Sequence, residues 1–195
     1  MGITSRKIEV HWNYLHSIEK DLENLSRFIE FHDDNFNCYS IEISRILMAS
    51  AAEIDVICRQ ICVDLNNTSK ADNIHDYRNE ILSHYKNIPK FRVIIPRYGL
   101  ELIPWSNWKN RKNTVPFWWT AYNKIKHHRH TDYHRGNLKN ALNAAAGLFV
   151  MTLYLYKEKA GLGELQPALK LLHVAEEHFG GSVHDGYETG LSYRI

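Results

Sequence analysis

The stretch Trp118-Trp119-Thr120-Ala121-Tyr122-Asn123-Lys124-Ile125-Lys126-His127-His128-Arg129-His130 gathers imidazoles, cations and an amide within a few turns, and Tyr133, His134 and Arg135 follow closely. On a helix, at about 100° per residue, Asn123, Lys126, His127, His130 and (if the helix persists) His134 share a stripe about 100° wide. Arg129 lies beside it, near the inward aromatic face. Imidazole titrates near neutrality and can give or take a proton at cellular pH. Lysine and arginine stabilise a phosphate that gains charge in a transition state. An asparagine amide can orient a phosphate or fix a histidine tautomer. RNA brings its own nucleophile, the 2′-OH. Its transesterification needs only an acid/base pair and cations, so this kit works without a metal or cofactor. That makes His127, His130 and His134 candidates for proton transfer, Lys124, Lys126 and Arg129 candidate cations, and Asn123 a candidate orienting amide. Trp105, Trp108 and Tyr133 are candidates to stack on unpaired bases.

Simpler accounts stand beside this one. The patch can be a solvated basic face without a partner. His127, His130 and His134 can also be read as metal ligands, but no carboxylate or cysteine completes a first shell. His173 and Glu177, four apart, have ligand-like spacing that is common on ordinary helix surfaces.

Charge singles out the same region. Residues 105–135 carry Lys109, Arg111, Lys112, Lys124, Lys126, Arg129 and Arg135 against Asp132, a net of +6 in a chain whose formal net charge is +2. The remainder therefore sums to −4, and a basic island in a mildly acidic chain implies a localised anionic partner.

The elements that must hold this patch follow from apolar periodicity. Ile8, Trp12, Leu15, Ile18, Leu22, Leu25 and Ile29 predict a first helix over about 6–31. Ile43, Leu47, Ile54, Ile57, Ile61 and Leu65 predict a central helix over about 40–65, with Glu53 either reaching solvent or meeting a cation. A third helix is expected over about 72–85. Val93 to Ile95 and Leu100 to Ile103 flank Pro96-Arg97-Tyr98-Gly99, which reads as a β-hairpin inserted at 91–103. Thr114 can cap a helix with Pro116 in its first turn that reaches the histidines. A long helix runs from Leu138 to about Lys157, where Ala144, Ala145, Ala146 and Gly147 permit close approach of another helix. A shorter helix is expected over 166–178, with an irregular tail after Gly180. The expected fold class is all-α: an antiparallel bundle of five to six helices in a single domain, 1–195, with its core at 40–158.

Composition is ordinary for one globular domain, at 44% hydrophobic and 24% charged residues. Three cysteines, with Cys58 and Cys62 inside an apolar helical pattern, argue for buried thiols over a disulfide framework. The N-terminus lacks an apolar signal core, and the apolar run from Ala141 to Tyr156 is shorter than the ~20 residues of a membrane span. A cytoplasmic location without membrane attachment is the expectation.

A helical bundle with a basic histidine motif before its last long helix resembles the HEPN superfamily (higher eukaryotes and prokaryotes nucleotide-binding). Its signature is Arg, often followed by Asn, Asp or His, then His after four to six residues. Arg129-His130-Thr131-Asp132-Tyr133-His134 resembles it with four intervening residues. Tyr122-Asn123-Lys124-Ile125-Lys126-His127 resembles the Asn-containing form, with Tyr122 in place of Arg and Lys126 or Arg129 left to supply the cation. Arg78-Asn79-Glu80-Ile81-Leu82-Ser83-His84 is a third match, outside the basic island. The resemblance covers about residues 40–158. It implies a metal-independent endoribonuclease of toxin–antitoxin or phage-defence type, with His127 or His134 as acid/base, Arg129 as the transition-state cation, and Asn123, Lys124, Lys126 and His130 as substrate contacts. It also implies a homodimer whose two signatures share one cleft, with an antitoxin or activating protein as a possible partner. An inactive HEPN module that binds nucleotide, RNA or a protein is the alternative implied.

Overall fold

The computed structural model describes residues 8–110, 114–185 and 188–195. Among these are six α-helices: α1 (Val10–Leu25), α2 (Ile41–Leu65), α3 (Ile74–His84), α4 (Phe117–Asp132), α5 (Leu138–Leu155) and α6 (Lys157–Leu162). Five short strands accompany them: β1 (Val93–Ile95), β2 (Leu100–Leu102), β3 (His173–Val174), β4 (Phe179–Asp185) and β5 (Glu188–Tyr193). The chain is mostly helical with two small antiparallel sheets, so the all-α expectation is corrected.

The helices start where the sequence offers a cap. Ser40 Oγ accepts from the Ile43 N–H at 3.2 Å, and Asn137 Oδ1 accepts from the Asn140 N–H at 3.1 Å. Asn73 does the same for α3. Helix α2 is central and packs against α1, α3, α4 and α5. Its stripe, from Ile43 through Ile61, is buried, as are Trp12, Leu15, Ile18 and Leu22 of α1. Helix α5 is buried along nearly its whole length. By length and composition it is apolar enough to cross a membrane, yet 89% of that window lies inside the fold. Gly147 does what the small-residue run predicts, because a Cβ there would sit 3.1 Å from the Trp118 ring. The core extends past residues 40–158, from Trp12 to Tyr193. Cys58 and Cys62 are free and buried. Helix α1 ends at Leu25, short of the predicted 31, where the Ser26 hydroxyl bonds the Glu23 carbonyl at 2.8 Å. The predicted start at residue 6 lies outside the described residues.

The hairpin at 91–103 forms as β1 and β2, turning through a 3-10 segment and Gly99 at φ +62°. A third strand, β3, adds to it and gives the order β2-β1-β3. The predicted helix over 166–178 does not form, and the tail after Gly180 is the β4–β5 hairpin, not irregular chain. The reason lies on α1. Trp12 Nε1 and His16 Nε2 both donate to the Pro167 carbonyl, at 3.1 and 2.9 Å. One turn on, the buried Glu19 carboxylate accepts from the backbone N–H groups of Lys170, Leu171 and Leu172, the shortest at 2.7 Å. These donors face a carboxylate and are not spent on a helical ladder. His173 and Glu177, predicted four apart on one helix, sit instead on a strand and a 3-10 turn. Glu177 is spent on Arg92, at 2.7 and 2.8 Å, and Arg92 also meets Glu101 of β2.

Arg92 pulls the Glu177 carboxyl from its ordinary 4.5 down to about 2, chiefly through guanidinium hydrogen bonds. A depressed carboxylate stabilises the fold above its unfolded value and loses that contribution as pH falls through its folded one. The contribution is therefore full above 4.5 and fades toward 2. Both side chains are exposed, so the effect is small. Arg92→Met is expected to flatten the stability profile in this window, read by urea unfolding at stepped pH. A profile parallel to the parent's would show that the pair contributes nothing.

Helix α4 buries Trp118, Trp119, Ala121, Tyr122 and Ile125, and nothing beyond Ile125. Without packing to hold it straight, the helix breaks at His128 (φ −138°, ψ 41°). A 3-10 turn at Tyr133–Arg135 then returns the chain to α2, where Gly136 meets Ser44. A Cβ on Gly136 would lie 1.9 Å from Ser44 Oγ and 2.9 Å from Ser44 Cβ. Gly136→Ala is expected to cost about 1–3 kcal/mol as overpacking, with Ser44→Gly in the same chain recovering most of it. An unchanged urea midpoint for the single variant would show that the turn yields freely.

Candidate nucleic-acid interface

The break at His128 divides the predicted stripe, which is a correction to the single-face reading. Before it, Thr120, Asn123, Lys124, His127 and His128 line a shallow depression of about 260 Å³. After it, Arg129 and His130 line a cavity of about 460 Å³ with Ile41 and Tyr133. Lys126 leans over the Tyr122 ring at 5.6 Å. His134 sits in the 3-10 turn and is exposed, as are Asn123, Lys124, Lys126, His127, Arg129 and His130. The structure thus keeps Asn123, Lys124 and His127 together, sets Arg129 with His130, and leaves Lys126 and His134 outside both hollows. Arg129, expected near the inward aromatic face, is on the surface. Thr114 precedes the observed cap at Pro116, and Arg111 and Lys112 of the basic island lie outside the described residues.

Electrostatically the surface is open. Among the described residues, neither the α4 lysines nor Arg129 has an ion-pair partner. Asp132 is engaged elsewhere, since Arg135 Nε donates to it at 2.6 Å and holds its carboxyl below the usual range. Four imidazoles, two lysines and one arginine therefore face solvent along about twelve residues.

The aromatic platform differs from the predicted one. Trp105 and Trp108 are buried and cannot stack on a base, since Trp105 Nε1 donates to the Gly147 carbonyl at 3.2 Å. They pack with Trp118 in a cluster that anchors the N-terminal half of α4. Tyr133 does lie at the site. Its partners there are residues that sequence reasoning missed: Tyr39, edge-on to Tyr133 at 5.5 Å and 53% exposed, and Ile41, 74% exposed. Their signal was available in the sequence, as two large apolar residues flanking the Ser40 cap, outside the helix stripe that buries Ile43.

The third Arg/His match serves the fold. Arg78 donates to the carbonyls of Trp108 and Asn110, at 3.1 and 2.7 Å, and ties the connector to α3. Among the described residues its partner His84 bonds its neighbour Ser83 and the Glu80 carbonyl. Glu53, read as solvated or paired, accepts from His11 Nδ1 at 2.6 Å. The only three-residue group of the described residues with metal-ligand spacing is His32, Asp33 and Asp34, which is exposed and outside the α4 histidine patch.

No family model, curated protein or solved structure matches this chain.

Proposed function

We propose that the protein is a cytoplasmic, RNA-directed helical protein of HEPN type, in which α1–α5 form the antiparallel bundle and the two sheets are additions to it. Its α4 surface takes single-stranded RNA. The observation that supports this is the juxtaposition of unpaired cations and imidazoles with an aromatic and apolar notch of exposed Tyr39 and Ile41 and half-buried Tyr133. Cations draw in the phosphate backbone, and a ring beside them accepts an unstacked base. Two copies meeting across α4 would bring the histidines of one against Arg129 of the other. The 2′-OH then loses its proton to one histidine, attacks the adjacent phosphorus, and the departing 5′-oxygen takes a proton from a second. The product is a 2′,3′-cyclic phosphate, with no metal and no cofactor. In a toxin or phage-defence setting, an antitoxin or activating protein would cover or complete this surface.

One observation favours the non-catalytic alternative. No α4 histidine has a hydrogen-bonded partner to fix its tautomer among the described residues. Within one chain the patch is therefore an RNA-binding surface, and catalysis depends on what a second copy or the RNA supplies. The test is purified protein with labelled single-stranded RNA in excess EDTA, scored for binding and for cyclic-phosphate ends. Cleavage establishes the nuclease, and binding without cleavage establishes the module. No binding in low salt removes both.

A further inference from the structure

At one end of the bundle, far from α4 in sequence, the C-terminal ends of α2, α3 and α5 converge around a pocket of about 440 Å³. Gln60, Asp64, Tyr85, Tyr154, Tyr156 and Lys157 line it. Helix C-termini carry partial negative charge from unpaired carbonyls, normally offset by basic residues in the last turn. The last turns of α2 and α5 hold no basic residue, while that of α3 holds His84.

The walls add three carboxylates, against Lys157 and Lys159, and π-faces. Tyr85 and Tyr154 pack with ring centroids 4.9 Å apart. Asp64 and Glu158 are exposed on the lining and have no ion pair among the described residues. The far side is braced. The His11 amide donates to Tyr156 Oη at 3.4 Å, His11 bridges Glu53 and Gln60, and Lys159 is bound by Glu9. The chain supplies an occupant of its own. Lys157 Nζ stands over the Tyr85 ring, 5.0 Å from its centroid. An alkylammonium thus already sits where two helix ends without a basic residue in their last turn meet an aromatic face.

We propose that this pocket is a binding site for a small aliphatic polyamine. One ammonium would take the Tyr85 face by displacing Lys157, and a second would reach Asp64 and Glu158. A ring face favours a cation, and favours it more as water is excluded. The second charge answers the two free carboxylates, which a single ammonium leaves unpaired. Lys157 is then an internal competitor that sets the affinity. This site is independent of the α4 surface and of any reading of RNA.

The test is calorimetric titration with spermidine and with tetramethylammonium, at fixed ionic strength. Variants are Lys157→Gln, Tyr85→Leu and the pair Asp64→Asn/Glu158→Gln, with Lys20→Gln as a control that removes an equal charge elsewhere. Spermidine is expected to bind one site, more tightly than tetramethylammonium. Lys157→Gln is expected to tighten it roughly 2- to 5-fold, the scale of one exposed cation–π contact, and Tyr85→Leu to abolish that gain. The carboxylate pair is expected to lose the preference for the polyamine. No binding by parent or Lys157→Gln overturns the proposal. So does a gain in Lys157→Gln no larger than in Lys20→Gln, which would mark bulk electrostatics only.

Discussion

Replacing Glu19 by alanine is expected to remove about 3–5 kcal/mol of stability, a large share of the 5–15 kcal/mol typical of a folded chain. The carboxylate is 3% exposed and accepts from three consecutive backbone N–H groups, at Lys170, Leu171 and Leu172. Alanine deletes the acceptor and leaves those donors buried, at roughly 1–3 kcal/mol each where nothing replaces it. Water entering beside α1 recovers part of the cost, so the expectation falls below the full sum. Glu19→Gln keeps one acceptor oxygen and loses the charge, and is expected to fall between parent and alanine. Glu23→Ala, at a half-buried site on the same helix where only the Lys20 pair is lost, should lie within about 1 kcal/mol of parent. Urea unfolding of the three variants reads this directly. Parent-like stability for Glu19→Ala would mean that the C-terminal segment has another support.

The second large effect concerns the proposed nuclease. If cleavage occurs, Arg129→Ala is expected to lower it by about 10²-fold or more, the scale of removing a charge-stabilising donor from a phosphoryl transition state. One histidine, His127 or His134, is expected to show a loss of about 10²–10⁴-fold as acid/base. The break at His128 separates their surroundings, His127 falling in the depression with Asn123 and Lys124, and His134 in the turn beyond Arg129. For that reason the two variants should differ widely. The severe one identifies the working register, and cyclic-phosphate yields under single-turnover conditions provide the measurement. Equal, mild losses in all three would favour binding over catalysis. Circular dichroism must match the parent, which exposed positions such as these make readily achievable.

The sequence carried much of this fold, because amphipathic helices write their burial into every third or fourth residue. Ile43 through Ile61 and Trp12 through Leu22 behave as that period demands, and the Pro96–Gly99 turn appears where its residue types require it. Two of the larger misses share a cause, a partner distant in the chain. Residues 166–178 have adequate local propensity for a helix, but Glu19 takes their N–H groups from some 150 positions away. Trp105 and Trp108 read as stacking platforms because nothing local shows that Gly147 and Trp118 close over them. The patch itself was legible as a cluster of residue types, since charge and imidazole are visible one residue at a time. Its division was not, because a helix that runs out of buried side chains after Ile125 leaves no mark until its packing is known.

The grip of α1 on the C-terminal segment also sets an order of events in synthesis. Trp12, His16 and Glu19 emerge from the ribosome some 150 residues before their backbone partners at 167–172. Contacts of such long sequence separation are slow to close, because loop entropy must be met before they give anything back. Until then α1 carries a buried-type carboxylate and an indole with unmet hydrogen bonds, on a helix whose apolar stripe has only α2 and α5 to settle against. Nascent chains should therefore linger as a loosely docked first helix on a forming α2–α5 pair. They become one cooperative unit only once residues 167–172 have been made, so that segment would act as the latch of the fold.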